Sequence, residues 1–196
     1  ATPEGYARNP ELVINFYNER RKQLLEVRPN DGHLGLAELE ADFNVTVVTQ
    51  NIDNLHERAG SRRIIHLHGE LTKVCSSRDP YNPHYIKELK PDEYEVKFGD
   101  KAGDGTQLRP FIVWFGEPVP EIETAVNYVE KADIFVIIGT SMNVYPAAGL
   151  LNYVPREAEV YLIDPKPVDV HSMRRIHVIQ KGASEGVREL RSLLQP

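Results

Sequence analysis

The chain has 196 residues, 41% of them hydrophobic and 27% charged, with a formal net charge of -6. That is the composition of a soluble globular protein of one ordinary domain, or one domain with a small lobe. The acidic balance argues against nucleic acid or a membrane surface as partner, and no apolar run approaches the roughly 18 residues that cross a bilayer. The one cysteine, Cys75, excludes an internal disulfide and fits a reducing, cytoplasmic setting.

In chain order, Leu12, Val13, Phe16 and Leu24 space an amphipathic helix over residues 10–27, with Pro10 in its first turn. Asn30 can cap a second helix with Leu34, Leu36, Ala37 and Leu39 as its apolar side. The β-branched run over 45–49 predicts a buried strand. A short helix over 52–59 follows, ended by Gly60. A second strand covers 63–67. Residues 74–107, rich in proline, glycine and charge, predict an inserted lobe. Strands are predicted at 111–115, 133–138, 160–163 and 176–180, and helices near 122–129 and 146–153. Ser184 can cap a last helix through Val187, Leu190 and Leu194. Strands alternating with helices imply an α/β fold, a Rossmann-like parallel sheet with helices on both faces.

The chemistry concentrates in Thr49-Gln50-Asn51-Ile52-Asp53-Asn54-Leu55-His56 and His66-Leu67-His68-Gly69-Glu70. Ligands of such sheets bind at the carboxyl ends of strands. Gln50, Asn51 and Asp53 fall there, and so does His68 if the two strands are parallel neighbours. An imidazole titrates near neutrality and suits a general base. His66 shares the strand parity of His68, so side-chain direction leaves open which of them it is. An amide such as Asn51 can donate and accept, which matches a carboxamide.

These motifs resemble the sirtuins, NAD-dependent protein-lysine deacylases whose signature is T-Q-N-I-D followed by a histidine–glycine pair. The resemblance continues through Val113-Trp114-Phe115-Gly116-Glu117 and Gly139-Thr140-Ser141. It implies His68 as catalytic base. It implies Gln50, Asn51, Asp53, Gly139, Thr140, Ser141, Asp164 and Ala183 as NAD contacts, with Asp164 where the family usually has asparagine. Val113, Phe115, Gly116 and Glu117 are then the strip against which an acylated lysine peptide pairs through its backbone. Tyr17 and Arg20, three apart on a helix, resemble the acyl pocket of sirtuins that remove succinyl and malonyl groups. Guanidinium and phenol suit an acyl carboxylate.

The resemblance divides the chain into a helical part of a small domain at 1–30, an NAD-binding domain at 31–73 and 108–196, and a small-domain insert at 74–107. Two departures stand out. Ala1-Thr2-Pro3-Glu4 resembles the region just after the family's cofactor-covering loop. The first strand and glycine-rich turn are absent from these residues and are expected ahead of them in a longer protein. The insert holds only Cys75 and His84 where most sirtuins have four zinc cysteines. No zinc is expected, and Tyr81, Tyr85, Ile86, Leu89 and Tyr94 are expected to hold the lobe by burial. The reading is NAD-dependent deacylation of acylated lysine proteins, giving nicotinamide and O-acyl-ADP-ribose. Alternatives are a non-catalytic peptide-binding remnant and mono-ADP-ribosyl transfer.

Overall fold

A computed structural model describes residues 1–139, 147–168 and 174–195, with the side chains of 147 and 148 left out. In chain order the elements are α1 (Pro3–Arg8), α2 (Pro10–Leu24), α3 (Asp31–Glu38), β1 (Val47–Thr49), α4 (Leu55–Ala59), β2 (Ile64–His66), β3 (Gly69–Ser76), β4 (Lys87–Glu88), β5 (Leu108–Ile112), α5 (Ile122–Val129), β6 (Ile134–Ile138), β7 (Glu159–Ile163), β8 (His177–Ile179) and α6 (Ala183–Leu194). Short 3₁₀ turns, among them Ala147–Tyr153, lie between them. The chain forms two compact units. Unit one holds residues 1–28, 49–54 and 66–120; unit two holds 29–48, 55–65 and 121–196.

Unit one starts with two capped helices. Thr2 accepts from the Gly5 N–H at 3.0 Å and Asn9 from the Leu12 N–H at 3.1 Å, each followed by a proline at the first helical position. α1 precedes the helix that the apolar spacing predicts and falls within the residues 1–30 expected to be helical. The buried face of α2 also differs from the expected one: it carries Ile14, Tyr17, Asn18, Arg21 and Leu24, while Leu12 and Phe16 are exposed. Asn18 and Arg21 can be buried because backbone groups meet them. Asn18 exchanges two hydrogen bonds with Val96, at 2.7 and 2.9 Å. Arg21 donates to the carbonyls of Tyr94 (2.7 Å) and Leu71 (3.3 Å) and to the Asn18 amide oxygen (2.6 Å).

The sheet of unit one is antiparallel, in the order β4-β3-β5. The 74–107 segment supplies the end of β3 and all of β4 to this sheet and leads into β5. Its tyrosines are only partly buried and Tyr81 is exposed. Val96 and Leu89 pack with Ile14 and Val74, and polar contacts close the rest of the segment. The Ser76 hydroxyl donates to the Asp104 carboxylate and accepts from the N–H groups of Arg78 (3.0 Å) and Asp79 (2.9 Å). Thr106 donates to Asp104 at 2.6 Å. Two short carboxylate contacts hold Asp104 well below the usual range, at about 2; the bond from Ser76 contributes most and that from Thr106 next.

Unit two is an α/β layer. β6, β7 and β8 are parallel and adjacent in that order. Val160 and Leu162 point to one face of β7, Tyr161 and Ile163 to the other, and all are buried, so both faces are covered. One face packs Ile163 and Ile179 against Leu39, Val187 and Leu190. Asn30 caps α3 as expected, in a reciprocal capping box with His33. Leu39 is buried and Leu36 packs beside it as expected, while Leu34 is exposed; glycines complete the packed side, with Gly32 against Ala183 and Gly35 against Val187. α6 begins at Ala183 with Gly182 as its cap position, not Ser184.

β1 and β2 form a two-stranded sheet. Val47 donates to the Arg63 carbonyl, and two residues later the Thr49 carbonyl accepts from Leu67, both at 2.9 Å. The two strands advance together and are parallel.

Candidate functional site

The segment after β1 is fastened to the segment after β2 within unit one. The Thr49 hydroxyl accepts from the Asn51 N–H at 3.0 Å. The Asn51 carbonyl meets Nδ1 of His66 at 3.0 Å, and the Ile52 carbonyl accepts from Leu71 at 2.7 Å. These contacts fix the backbone from which Gln50, Asn51 and Asp53 project. They also separate the two histidines that strand parity left equivalent. His66 is buried and its ring is used on Asn51, with Glu70 3.9 Å from Nε2. His68 lies in the turn between β2 and β3, partly exposed.

The His68-Gly69 pair has a local reason. Gly69 has φ +87°, and a Cβ there would overlap the Phe111 carbonyl. Only glycine lets β3 begin that close to β5. The same approach lets the His68 carbonyl accept from the Val113 N–H at 2.9 Å, so His68 is tied to the start of the 113–117 segment.

That segment is a turn beyond β5, not part of a strand over 111–115. Glu117 donates its N–H to the Trp114 carbonyl at 3.0 Å, and Gly116 has φ +90°, the backbone a type II turn asks of its third residue. Phe115 projects outward with 82% of its surface exposed. Beneath the turn the Glu117 carboxylate accepts from the Trp114 N–H (2.8 Å) and from both terminal nitrogens of Arg109 (3.0 Å each). Burial would raise the Glu117 carboxyl, but the Arg109 and Trp114 bonds outweigh it and hold it below its ordinary value. The Arg109 guanidinium lies 3.7 Å from the Trp114 ring centroid. Sequence reading missed Arg109. A buried arginine in an apolar strand facing Glu117 eight residues on is the only signal it leaves.

On α2, Tyr17 is buried and its hydroxyl accepts from the Trp114 indole N–H at 3.1 Å. Burial raises its pKa, against the hydrogen bond from Trp114 and the charges of Arg109 and Arg20. Arg20 is exposed, its guanidinium 5.3 Å from the Phe16 ring centroid. Cys75 is fully buried, its thiol pointed at the Pro110 carbonyl at 3.8 Å and pushed up to about 12 by burial.

In unit two, Gly139, Asp164 and Ala183 share one rim. Ile138, Ile163 and Ile179 stand in register across three parallel strands. Gly139 and Asp164 are the next residues after the first two, and Ala183 opens the helix that follows the third. Gly139 donates to the Ile163 carbonyl (3.0 Å) and Asp164 to the Ile179 carbonyl (3.2 Å). The Asp164 carboxylate accepts from the Lys166 N–H at 2.8 Å. Thr140 and Ser141 lie outside the described residues.

The profile of the Sir2 family matches residues 1–146. The chain belongs to the Sir2 family. Over 196 residues it is 84% identical to an NAD-dependent protein deacylase of Bacteroides thetaiotaomicron, covering all of this chain and 84% of that one. A solved Sir2 homolog–NAD complex superimposes with a TM-score of 0.81 at 34% identity, over 99% of this chain and 77% of its own. A Sir2–p53 peptide–NAD+ structure does so with 0.78 at 26% identity, over 98% and 81%.

The Sir2 residues present fit a polar nucleotide. Among the described residues the buried Nε2 of Gln50 and Oδ1 of Asn54 have no hydrogen-bond partner, on either side of Asn51 and Asp53. Groups of that kind call for a ligand or water. Taken by itself, the rim of unit two presents a glycine, a carboxylate and a helix start, groups that also suit a polar ligand.

Proposed function

We propose that this protein is an NAD-dependent protein-lysine deacylase that removes acetyl and also succinyl and malonyl groups. The observation that carries the reading is the path Asn51–His66 and His68–Val113. It links the segment bearing Gln50, Asn51 and Asp53 to the 113–117 turn through the strand end that bears His68. NAD, when bound, would supply an electrophilic ribose carbon to the acyl oxygen, so that acyl-lysine, NAD and water would give lysine, nicotinamide and O-acyl-ADP-ribose. The Asn51 amide donates to and accepts from the carboxamide, and Asp53 and Gln50 hold ribose hydroxyls. His68 takes a hydroxyl proton on its imidazole, and its place in a turn rather than a core leaves the ring able to do so. On the rim of unit two, Gly139, Asp164 and Ala183 would offer backbone and carboxylate groups to a nucleotide. The Val113 carbonyl accepts the acyl-lysine amide N–H, and Phe115, Gly116 and Glu117 line the peptide. Tyr17 and Arg20 receive the distal carboxylate of a succinyl or malonyl group.

Two variants test this. His68→Tyr should abolish deacylation of an acyl-lysine peptide while the melting temperature is kept. Full activity would remove His68 from the mechanism. Arg20→Met should lower desuccinylation about tenfold or more beyond any loss of deacetylation, at about 1.4 kcal/mol per factor of ten. Equal losses on both peptides would end the acyl-pocket assignment.

A further inference from the structure

We infer that Trp114 is a positioning residue for acyl selectivity: its indole N–H takes the Tyr17 hydroxyl as acceptor and so leaves the phenol proton to be donated to the acyl carboxylate. The inference rests on the acyl-pocket reading above. An indole nitrogen can only donate, so the bond at 3.1 Å fixes the direction of the phenol. Among the described residues the structure offers no acceptor for the Tyr17 proton. A buried donor without a partner is held ready for a ligand acceptor.

Trp114 is itself held on every side. It is 3% exposed. Arg109 covers one face of its ring at 3.7 Å, and Tyr6 packs at 5.2 Å between centroids. Its backbone N–H is bound by Glu117, which Arg109 grips with two hydrogen bonds. Further bonds from Arg109 to the carbonyls of Ile112 (2.8 Å) and Pro110 (3.3 Å) anchor the guanidinium to β5. The indole therefore cannot turn without breaking the turn that bears Phe115 and Gly116. The acyl end and the peptide end of the substrate are read by one rigid unit. Trp114→Phe removes the donor together with one ring of the indole, and the comparison in a Tyr17→Phe background separates the lost bond from the lost packing.

The chain has a single tryptophan, so its indole N–H gives one proton resonance. Tyr17→Phe should move that resonance, and a succinyl-lysine peptide should move it further than an acetyl-lysine peptide in the wild-type protein. Trp114→Phe should lower the ratio of desuccinylation to deacetylation by about three- to tenfold, chiefly through KM, as expected for one neutral hydrogen bond. In a Tyr17→Phe background the same change should leave the ratio where it is. An unmoved indole resonance in Tyr17→Phe, or an equal effect of Trp114→Phe in both backgrounds, overturns the inference while Arg20→Met still reports on the pocket. If Arg20→Met and Tyr17→Phe both leave the ratio intact, the pocket reading fails and takes this inference with it.

Discussion

Among the described residues, unit one buries charged and amide side chains beside aliphatic ones such as Ile14, Leu67 and Val74, where the buried core of unit two is mainly aliphatic. In unit one Arg21, Asn18, Arg109 and Ser76 are all nearly inaccessible, each with named partners. Among the described residues of unit two the largest fully buried side chains are Val160, Leu162, Ile163, Val187 and Leu190. The difference is one of directionality. Aliphatic burial scales with area and tolerates small shifts. A buried guanidinium is stable only while each donor meets its acceptor. Unit one is thus the more exacting construction, and it holds the parts that must keep an indole, a phenol and an imidazole in place.

The largest expected effect follows from removing a buried donor set. Arg21→Met leaves the Tyr94 and Leu71 carbonyls without their partner and should cost about 3–5 kcal/mol. Native-state hydrogen exchange should show lost protection in residues 66–120 before residues 121–195. Uniform loss across both would break the contrast. At neutral pH Arg21 stays charged, although burial lowers it to about 10.

Leu190→Ala, at a position with no exposure, should cost about 3 kcal/mol as a cavity, with exchange rising first in unit two. A loss below 1 kcal/mol would mean that unit two relaxes more easily than its packing implies. Gly186→Ala is a sharper probe of the same core, because the new Cβ would overlap Ile163. It should cost about 1–3 kcal/mol by overpacking, read as a lower urea midpoint.

The smallest effect is electrostatic. Asp104 is held at about 2 by Ser76 and Thr106. A depressed carboxyl stabilises the fold above its unfolded value, and that contribution disappears as pH falls through the folded one. The melting-temperature gap between wild type and Asp104→Asn should be constant near pH 7 and shrink from about pH 4 towards pH 2. A gap that does not change over that window would show that the Ser76 cluster holds without the charge.

The legibility of the chain follows the same contrast. The strands and helices of unit two could be read because apolar residues recur at sheet and helix spacing, and the structure places β6, β7 and α6 within a residue or two of expectation. The buried side of α2 could not be read. Periodicity selected Leu12 and Phe16, and the structure buries Asn18 and Arg21 instead, because their partners are backbone groups some 50 to 78 positions away. Likewise the tyrosines of 74–107 are less buried than expected: Leu89 and Val96 pack on Ile14 and Val74, and polar contacts among Ser76, Asp104 and Thr106 supply the rest.

The sequence by itself determined the α/β class, the family resemblance and the strand ends at which Gln50, Asn51, Asp53, His68, Gly139 and Asp164 stand. These depend on local spacing and on motifs a few residues long. Only the tertiary structure decided that His66 is spent on Asn51 while His68 is left accessible, that Arg21 is buried and Arg20 exposed, and that Arg109 and Trp114 brace Tyr17. Each of those choices is made by a hydrogen-bond acceptor that a distant segment brings to the side chain, and neighbouring residues in the chain carry no mark of it.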